Sequence, residues 1–388
     1  MSQSNSKQVG NVPLLDITRD NEPMLYEMIR AISEVVHSGG FVGGPHCQLL
    51  EQAVAELCQT RHAIGCASGS DALLLSLMAI DLQPGDEVIV PSFTFFASVS
   101  AVTRLGATPV FIDIEPDTFN LDPQRLEELI TPRTKAVMPI HLFGQAANMT
   151  AIVGVAKCHG IHVIEDMAQA IGAKHGDQSV GSMGTTGCIS FYPTKNLGGL
   201  GDGGMVVSND DAIADRVRLL ANHGMRPRYY HQAVGINSRL DAIQAAGLNV
   251  KIQHLAKWIN QRRENARYYS QRFAELGLDS EIGIPGDDTC GLHVWNQFTI
   301  RLLNHDRDQV RADLTESGIG SDIYYPIPVH RQECYRYLNA CDESLPETNR
   351  ASSQVLSLPI FPSLTQAELD RVIECVAQAV HTGQQAAA

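Results

Sequence analysis

Two side chains of this sequence are placed for chemistry rather than solubility. Lys195 lies in the glycine-rich run Ser190-Phe-Tyr-Pro-Thr-Lys-Asn-Leu-Gly-Gly-Leu-Gly-Asp-Gly-Gly204, between two strand-like segments. Asp166 ends the apolar run that begins at Val163. An amine held in a tight turn can form a Schiff base with an aldehyde cofactor. A carboxylate ending a buried strand can keep a pyridine nitrogen protonated. Together they are the two fixed points of a pyridoxal phosphate site.

Other segments add weaker signals. In Cys66-Ala-Ser-Gly-Ser-Asp-Ala-Leu-Leu-Leu75, Gly69 and Ser70 join a strand to a helix, where free amides and hydroxyls can cradle a phosphate. An ordinary Ser/Gly helix cap fits the same residues. Asp166 alone could equally cap a turn, and Gln169 shares its helical face at i+3, within reach of a cofactor hydroxyl. Phe95, in Pro91-Ser-Phe-Thr-Phe-Phe-Ala97, can stack on a pyridine ring or serve the core. His141 ends a strand, where capping competes with an active-site role. The glycines at 198–204 lack the Gly-x-Gly-x-x-Gly order of a dinucleotide loop. Taken in this order on one chain, the signals reinforce each other.

The elements that must position these residues alternate. Strand-like runs at 63–66, 87–90, 109–112, 135–138, 162–165, 187–191 and 204–208 are interleaved with helical patterns at 70–80, 95–105, 122–130, 149–159 and 210–221. Two helices, 22–37 and 48–58, precede them. Such alternation predicts an α/β fold, a mostly parallel sheet covered by helices on both faces. After Asn237 the texture changes. A long helix, or two end to end, spans 238–273, followed by a strand at 294–301 and helices near 307–316 and 365–380. The expected division is a large cofactor-binding domain over 1–250 and a smaller C-terminal α+β domain over 251–388, with both chain ends, 1–10 and 381–388, frayed.

Composition sets the outer bounds. A net charge of −14 argues against nucleic acid or an anionic membrane as partner. No apolar run reaches the ~18 residues of a membrane span, and the polar start lacks the core of a signal peptide. Nine cysteines without a Cys-x-x-Cys pair read as reduced thiols, hence a cytoplasmic protein. The histidines show no metal-ligand spacing.

The blocks Asp166-x-x-Gln169, Ser190-x-x-x-x-Lys195-Asn, Gly201-Asp-Gly-Gly204 and Gly235-Ile-Asn-Ser-Arg-Leu-Asp-Ala-Ile-Gln-Ala-Ala246 resemble the DegT/DnrJ/StrS sugar aminotransferases. These are fold-type-I pyridoxal phosphate enzymes acting on nucleotide-linked keto sugars. The resemblance runs from Phe41 to Pro362. It implies that Lys195 bonds to the cofactor, that Asp166 pairs with the ring nitrogen, and that Gln169 lies near the ring hydroxyl with Phe95 on the ring. Gly69, Ser70 and Ser190 would hold the phosphate, joined by Asn237 of a second subunit. Arg239, with its planar fork, suits a substrate carboxylate or phosphate. Ser70 stands where the family commonly has threonine, which keeps the hydroxyl. Lys195 sets the chain apart from the branch that carries histidine there.

The resemblance implies a homodimeric aminotransferase with shared active sites, moving an amino group from glutamate to a nucleotide-diphosphate keto sugar by ping-pong kinetics. The segments His293–Arg301 and Ile323–Gln332 resemble the 3-keto branch more than the 4-keto branch, with Tyr325 and His330 as substrate contacts. Two alternatives stand beside it: a fold-type-I enzyme with a different amino substrate, and a non-catalytic regulator on the same fold.

Overall fold

A computed structural model describes residues 10–286 and 291–387, with side chains to 381. Three helices open the chain: α1 (Ile17–Asn21), α2 (Leu25–Ser38) and α3 (Pro45–Leu57). Strand and helix then alternate through β1 (His62–Cys66), α4 (Gly69–Ala79), β2 (Glu87–Pro91), α5 (Phe96–Arg104), β3 (Thr108–Ile112) and β4 (Thr134–Val137). The series continues with α6 (Met149–His159), β5 (His162–Asp166), a hairpin of β6 (Lys174–His175) and β7 (Gln178–Ser179), β8 (Thr186–Ser190), β9 (Gly204–Ser208) and α7 (Asp211–Leu220).

The main sheet has seven strands in the order β1-β9-β8-β5-β4-β2-β3. Every pairing from β8 to β3 is parallel, and β9 alone runs against its neighbours β8 and β1. Strands β2 and β9 are buried along their whole length, as strands covered on both faces must be. Helix α4 carries buried residues all round, from Ala72 through Leu77 to Ala79, so it fills the core under the sheet rather than lining a surface.

The C-terminal part contains α8 (Ala242–Ile252), α9 (Leu255–Glu275), and a three-stranded antiparallel sheet of β10 (Ile282–Gly283), β11 (Phe298–Leu302) and β12 (Val355–Leu358). Helices α10 (Arg307–Glu316), α11 (Pro346–Gln354) and α12 (Gln366–Ala387) complete it. The segment at Val12 pairs with Ile319, so the start of the described chain lies against this part. One apolar cluster reaches from Ile64, Leu75 and Val88 to Tyr269, Phe298 and Leu356.

Three local expectations change. The helix at 122–130 is two short 3-10 turns, Pro123–Arg125 and Glu127–Leu129, capped at the start by Asp122. The strand at 294–301 starts only at Phe298, because residues 294–296 bond instead to the turn at Phe143–Gly144. Of the two readings of the segment after Asn237, the pair of helices end to end holds, as Ala242–Ile252 and Leu255–Glu275. At the C-terminus, α12 continues past His381 to Ala387. The remaining frayed-end residues, 1–9 and 388, and Cys290 lie outside the described residues.

Candidate active site

The parallel strands deliver their C-terminal ends to one edge of the sheet, where an open α/β sheet places its site. Asp166 closes β5 and Ser190 closes β8 in the adjacent position. Cys66 closes β1 and leads through Ser68, whose hydroxyl caps α4 by accepting from the Asp71 amide at 3.1 Å. The amides of Gly69 and Ser70, in the first turn of α4, make no hydrogen bond among the described residues. A side chain on Gly69 would strike the Ser190 Cβ at 2.6 Å, so only glycine lets the helix start touch that strand end. Gly69, Ser70 and Ser190 thus form one cradle of donors.

Lys195 sits in the turn after β8, its amide donating to the Tyr192 carbonyl at 2.9 Å. Gly198 is obligatory there, because a Cβ would meet the Pro193 carbonyl oxygen at 2.3 Å. Burial pushes the Lys195 ammonium down to about 8, while the nearby Asp166 pulls it back up. A minority of the amine, roughly a tenth at pH 7, is therefore already neutral and nucleophilic, far more than for an ordinary lysine.

Asp166 is buried, and burial raises its carboxyl above the usual range. The Ser98 hydroxyl, the Ala168 amide, Lys195 and His141 all act in the opposite direction. Ser98 donates to Oδ2 at 2.8 Å and Ala168 to Oδ1 at 3.1 Å. Each oxygen keeps a lone pair for a further donor. Phe95 opens α5 and is 58% exposed, whereas Phe93, two residues earlier, is fully buried. The core reading thus belongs to Phe93, and the Phe95 ring is left free at the site edge, beside Tyr325 at 6.1 Å.

Gln169 accepts from the Phe143 amide at 2.7 Å and donates to the Tyr325 hydroxyl at 3.2 Å. Burial pushes the Tyr325 phenol upward, so it stays protonated and its own proton remains available. Asp166, Gln169 and Tyr325 therefore lie close together, Gln169 through its hydrogen bond and Asp166 through its charge on the phenol.

Other candidates are placed differently. The His330 ring spends both nitrogens within the fold, on Ser92 Oγ at 2.7 Å and Asp342 Oδ1 at 2.6 Å. It has no nitrogen left for a substrate, which corrects the expected contact. His141 likewise accepts from the Ala147 amide at Nδ1 and meets Glu165 at 2.9 Å through Nε2. That network assigns the proton to Nε2 and makes His141 a capping residue. Asn237 and Arg239 are exposed, and between them Ser238 turns inward to donate to Asp71 at 2.7 Å. The Arg239 guanidinium reaches Asn222 at 3.0 Å and lines a pocket of about 190 Å³ with Arg218, Glu51 and Val42. Neither Asn237 nor Arg239 touches the Lys195 pocket of its own chain.

Sequence reasoning missed Ser98 and Glu165. Ser98 looks like any small residue of a helix. Glu165 is fully buried and accepts from the amides of Gly181, Met183 and Gly184 as well as meeting His141.

A helix-covered sheet that brings a lysine turn, a carboxylate and an anion cradle to adjacent strand ends defines the fold-type-I aminotransferase class. The profile of the DegT/DnrJ/EryC1/StrS aminotransferase family matches residues 24–377, and the chain belongs to that family. It is 45% identical to the pleiotropic regulatory protein of Geobacillus stearothermophilus, over 95% of this chain and 98% of that one. It is 42% identical to the UDP-N-acetyl-3-dehydro-alpha-D-glucosamine 3-aminotransferase of Acidithiobacillus ferrooxidans, with the same coverage, 95% and 98%. Among solved structures, S. venezuelae DesV in complex with a ketimine intermediate superposes with a TM-score of 0.92 at 42% identity, over 95% of this chain and 98% of that one. Bacillus subtilis NtdA with bound cofactor PMP gives 0.90 at 32% identity, over 98% and 87%.

Proposed function

We propose that this chain is a pyridoxal-phosphate-dependent aminotransferase that moves an amino group from glutamate to carbon 3 of a nucleotide-diphosphate keto sugar. The observation that carries the reading is the meeting of Lys195, whose pKa burial lowers, with Asp166 beside the Gly69–Ser70–Ser190 cradle. The donor set suits the cofactor group by group. Two unpaired amides and two serine hydroxyls can hold its phosphate, and the exposed Phe95 ring can cover its pyridine face. Asp166 has a lone pair for the ring nitrogen, and the Gln169 amide retains one hydrogen for the ring hydroxyl.

When bound, pyridoxal phosphate supplies an aldehyde that links to amines and a cationic ring that spreads carbanion charge. The chain's residues do the rest. Lys195 would hold the cofactor through its Nζ, and the same Nζ, when free and neutral, could take a proton from the donor carbon. Asp166 keeps the ring nitrogen protonated throughout. The same Nζ serves the second half-reaction in reverse, so donor and acceptor use one site in turn, as ping-pong kinetics requires.

Substrate class follows the relatives. The Acidithiobacillus protein, the dTDP-3-amino-3,4,6-trideoxy-alpha-D-glucose transaminase of Streptomyces venezuelae (41% identical) and the UDP-2-acetamido-2-deoxy-3-oxo-D-glucuronate aminotransferase of Pseudomonas aeruginosa (39%) all carry position 3 in their names. The working unit is a homodimer. Leu25, Ile29 and Val36 on α2, and Phe41 and Val42 beyond it, form an exposed apolar stretch that a second copy can bury. The outward Asn237 and Arg239 then reach the partner's cradle and substrate. The eight cysteines among the described residues are unpaired, which suits the cytoplasm.

A regulatory reading has one observation in its favour, the name of the 45% identical Geobacillus protein. One experiment decides between them. The holoprotein is incubated with glutamate and a panel of UDP- and dTDP-linked 3-keto and 4-keto sugars, and products are weighed by mass spectrometry. Amino sugar and 2-oxoglutarate in equal amounts support the transferase. Cofactor binding without product from any sugar supports the regulator, and product from 4-keto sugars alone overturns the position.

A further inference from the structure

The side chain next to Lys195 ties the lysine turn to the opposite wall of the pocket. Asn196 is buried, and its Nδ2 donates to the Val294 carbonyl at 2.9 Å. The orientation of the amide is fixed by chemistry, since only a donor can face a carbonyl oxygen. Its Oδ1 has no partner among the described residues, so the Val294 bond alone orients the group.

Val294 belongs to a small clamp. Its amide donates to the Gly144 carbonyl at 3.0 Å, and the Asn296 amide donates to the Phe143 carbonyl at 2.9 Å. Gly144 has a φ of +101°, and a Cβ there would press on the amides of Trp295 and Asn296 at 3.0 Å, so the two segments meet backbone to backbone. The Phe143 amide, in turn, is the group that Gln169 accepts from at 2.7 Å. One unbroken path therefore runs from Lys195 through Asn196, Val294, Gly144 and Phe143 to Gln169. The same segment, 294–296, leads into β11 of the smaller sheet and is braced from behind by Arg262, which donates to the Trp295 carbonyl.

We propose that Asn196 is a positioning residue: its bond to Val294 holds the Lys195 turn at a fixed distance from Gln169, so that the amine meets the cofactor aldehyde without searching for it. The proposal rests on Lys195 being the cofactor-linking amine. A loosened turn leaves the amine present but misplaced, and misplacement of an ångström costs about a hundredfold in favourable cases.

The test follows the rate at which the full-length chain links added pyridoxal phosphate, by its visible absorption, with borohydride trapping and peptide mapping to locate the link. If the wild-type chain traps nothing at Lys195, the reading of the site fails before Asn196 is in question. If it traps at Lys195, Asn196→Ala should link at least roughly tenfold more slowly, while circular dichroism remains that of the wild type. Asn196→Asp keeps the shape but restores a donor only when protonated. Its rate relative to wild type should climb as pH falls through the new carboxyl's titration, a rescue that general loosening would not produce. A wild-type rate in Asn196→Ala overturns the proposal. If Asn196→Ala does not fold, Asn196→Asp decides alone, and a slowed rate whose ratio to wild type is flat across pH overturns it.

Discussion

The Ser98 hydroxyl donates to Asp166 Oδ2 at 2.8 Å, and Thr94 Oγ1 lies 3.0 Å behind that hydroxyl. Ser98 follows Phe95 by three residues, so a single helix start both presents the exposed ring and pins the carboxylate. The bond holds down a carboxyl that burial pushes up. Ser98→Ala should therefore raise the Asp166 pKa further and move the acid limb of kcat/KM to higher pH. A hydrogen bond to a charged group is worth about 1.5–3 kcal/mol, so activity on the acid side should fall about tenfold or more. An acid limb that does not move would show that Asp166 ionisation does not set it.

Lys195 carries a cost as well as a function. Its folded pKa of about 8 lies below the ordinary lysine value of 10.5. Between those values the unfolded chain holds a proton that the folded chain has shed, so this group's contribution to stability rises with pH through that window. Below about pH 8 the full cost of burying the ammonium applies. Lys195→Met, without cofactor, should melt higher than wild type at pH 7, and the gap should close as pH rises from about 8 to 10.5. Equal melting temperatures at pH 7 would mean that the native ammonium is solvated.

Asn237 and Arg239 are exposed, and the proposed sharing of sites between two copies can be tested by complementation. Lys195→Ala and the double variant Asn237→Ala, Arg239→Ala should each be nearly inactive. Unfolded together and reassembled, about half the dimers are mixed, and each mixed dimer has one intact site. Recovery should approach roughly a quarter of wild-type activity per chain. No recovery, with mixed dimers confirmed by mass spectrometry, would place these residues outside a shared site.

His330 should behave as an anchor rather than a substrate contact. His330→Ala removes partners from Ser92 and Asp342, and the buried Ser92 hydroxyl loses its ring nitrogen. The loss should lower stability by about 1–3 kcal/mol in urea unfolding, with the keto-sugar KM changed less than about twofold. A large KM change at unaltered stability would return His330 to the substrate site.

The parts legible in the sequence are those whose residue type is dictated by chemistry or by periodicity. Only lysine supplies the amine at 195, and only a carboxylate suits the end of β5, so both are visible without coordinates. The strand–helix alternation is equally plain, because strands buried on both faces are written as short continuous apolar runs. Ser98 and Asn196 leave no such trace. Each acts through one hydrogen bond to a group distant in the chain, Asp166 and Val294, and neither partner is implied by local pattern. His330 is expected as a substrate contact only through the resemblance of its segment, and no local pattern shows that both its nitrogens are taken by Ser92 and Asp342. The segment 294–297 has strand-like residues, yet its backbone groups are claimed by Phe143 and Gly144 before any strand can pair with them.

Glu165 and Asp166 are adjacent acids at the end of one strand, and the pleat sends them to opposite faces. One is locked by three backbone amides and a histidine, and the other faces Lys195. Because the alternation has a period of two, a one-residue insertion earlier in β5 would put Glu165 where Asp166 stands, and a one-residue deletion would put Asp166 where Glu165 stands. With the deletion the amide nest would receive the shorter aspartate, and with the insertion the reacting amine would face a glutamate one methylene too long. This strand should therefore tolerate many changes of apolar side chain but no change of length.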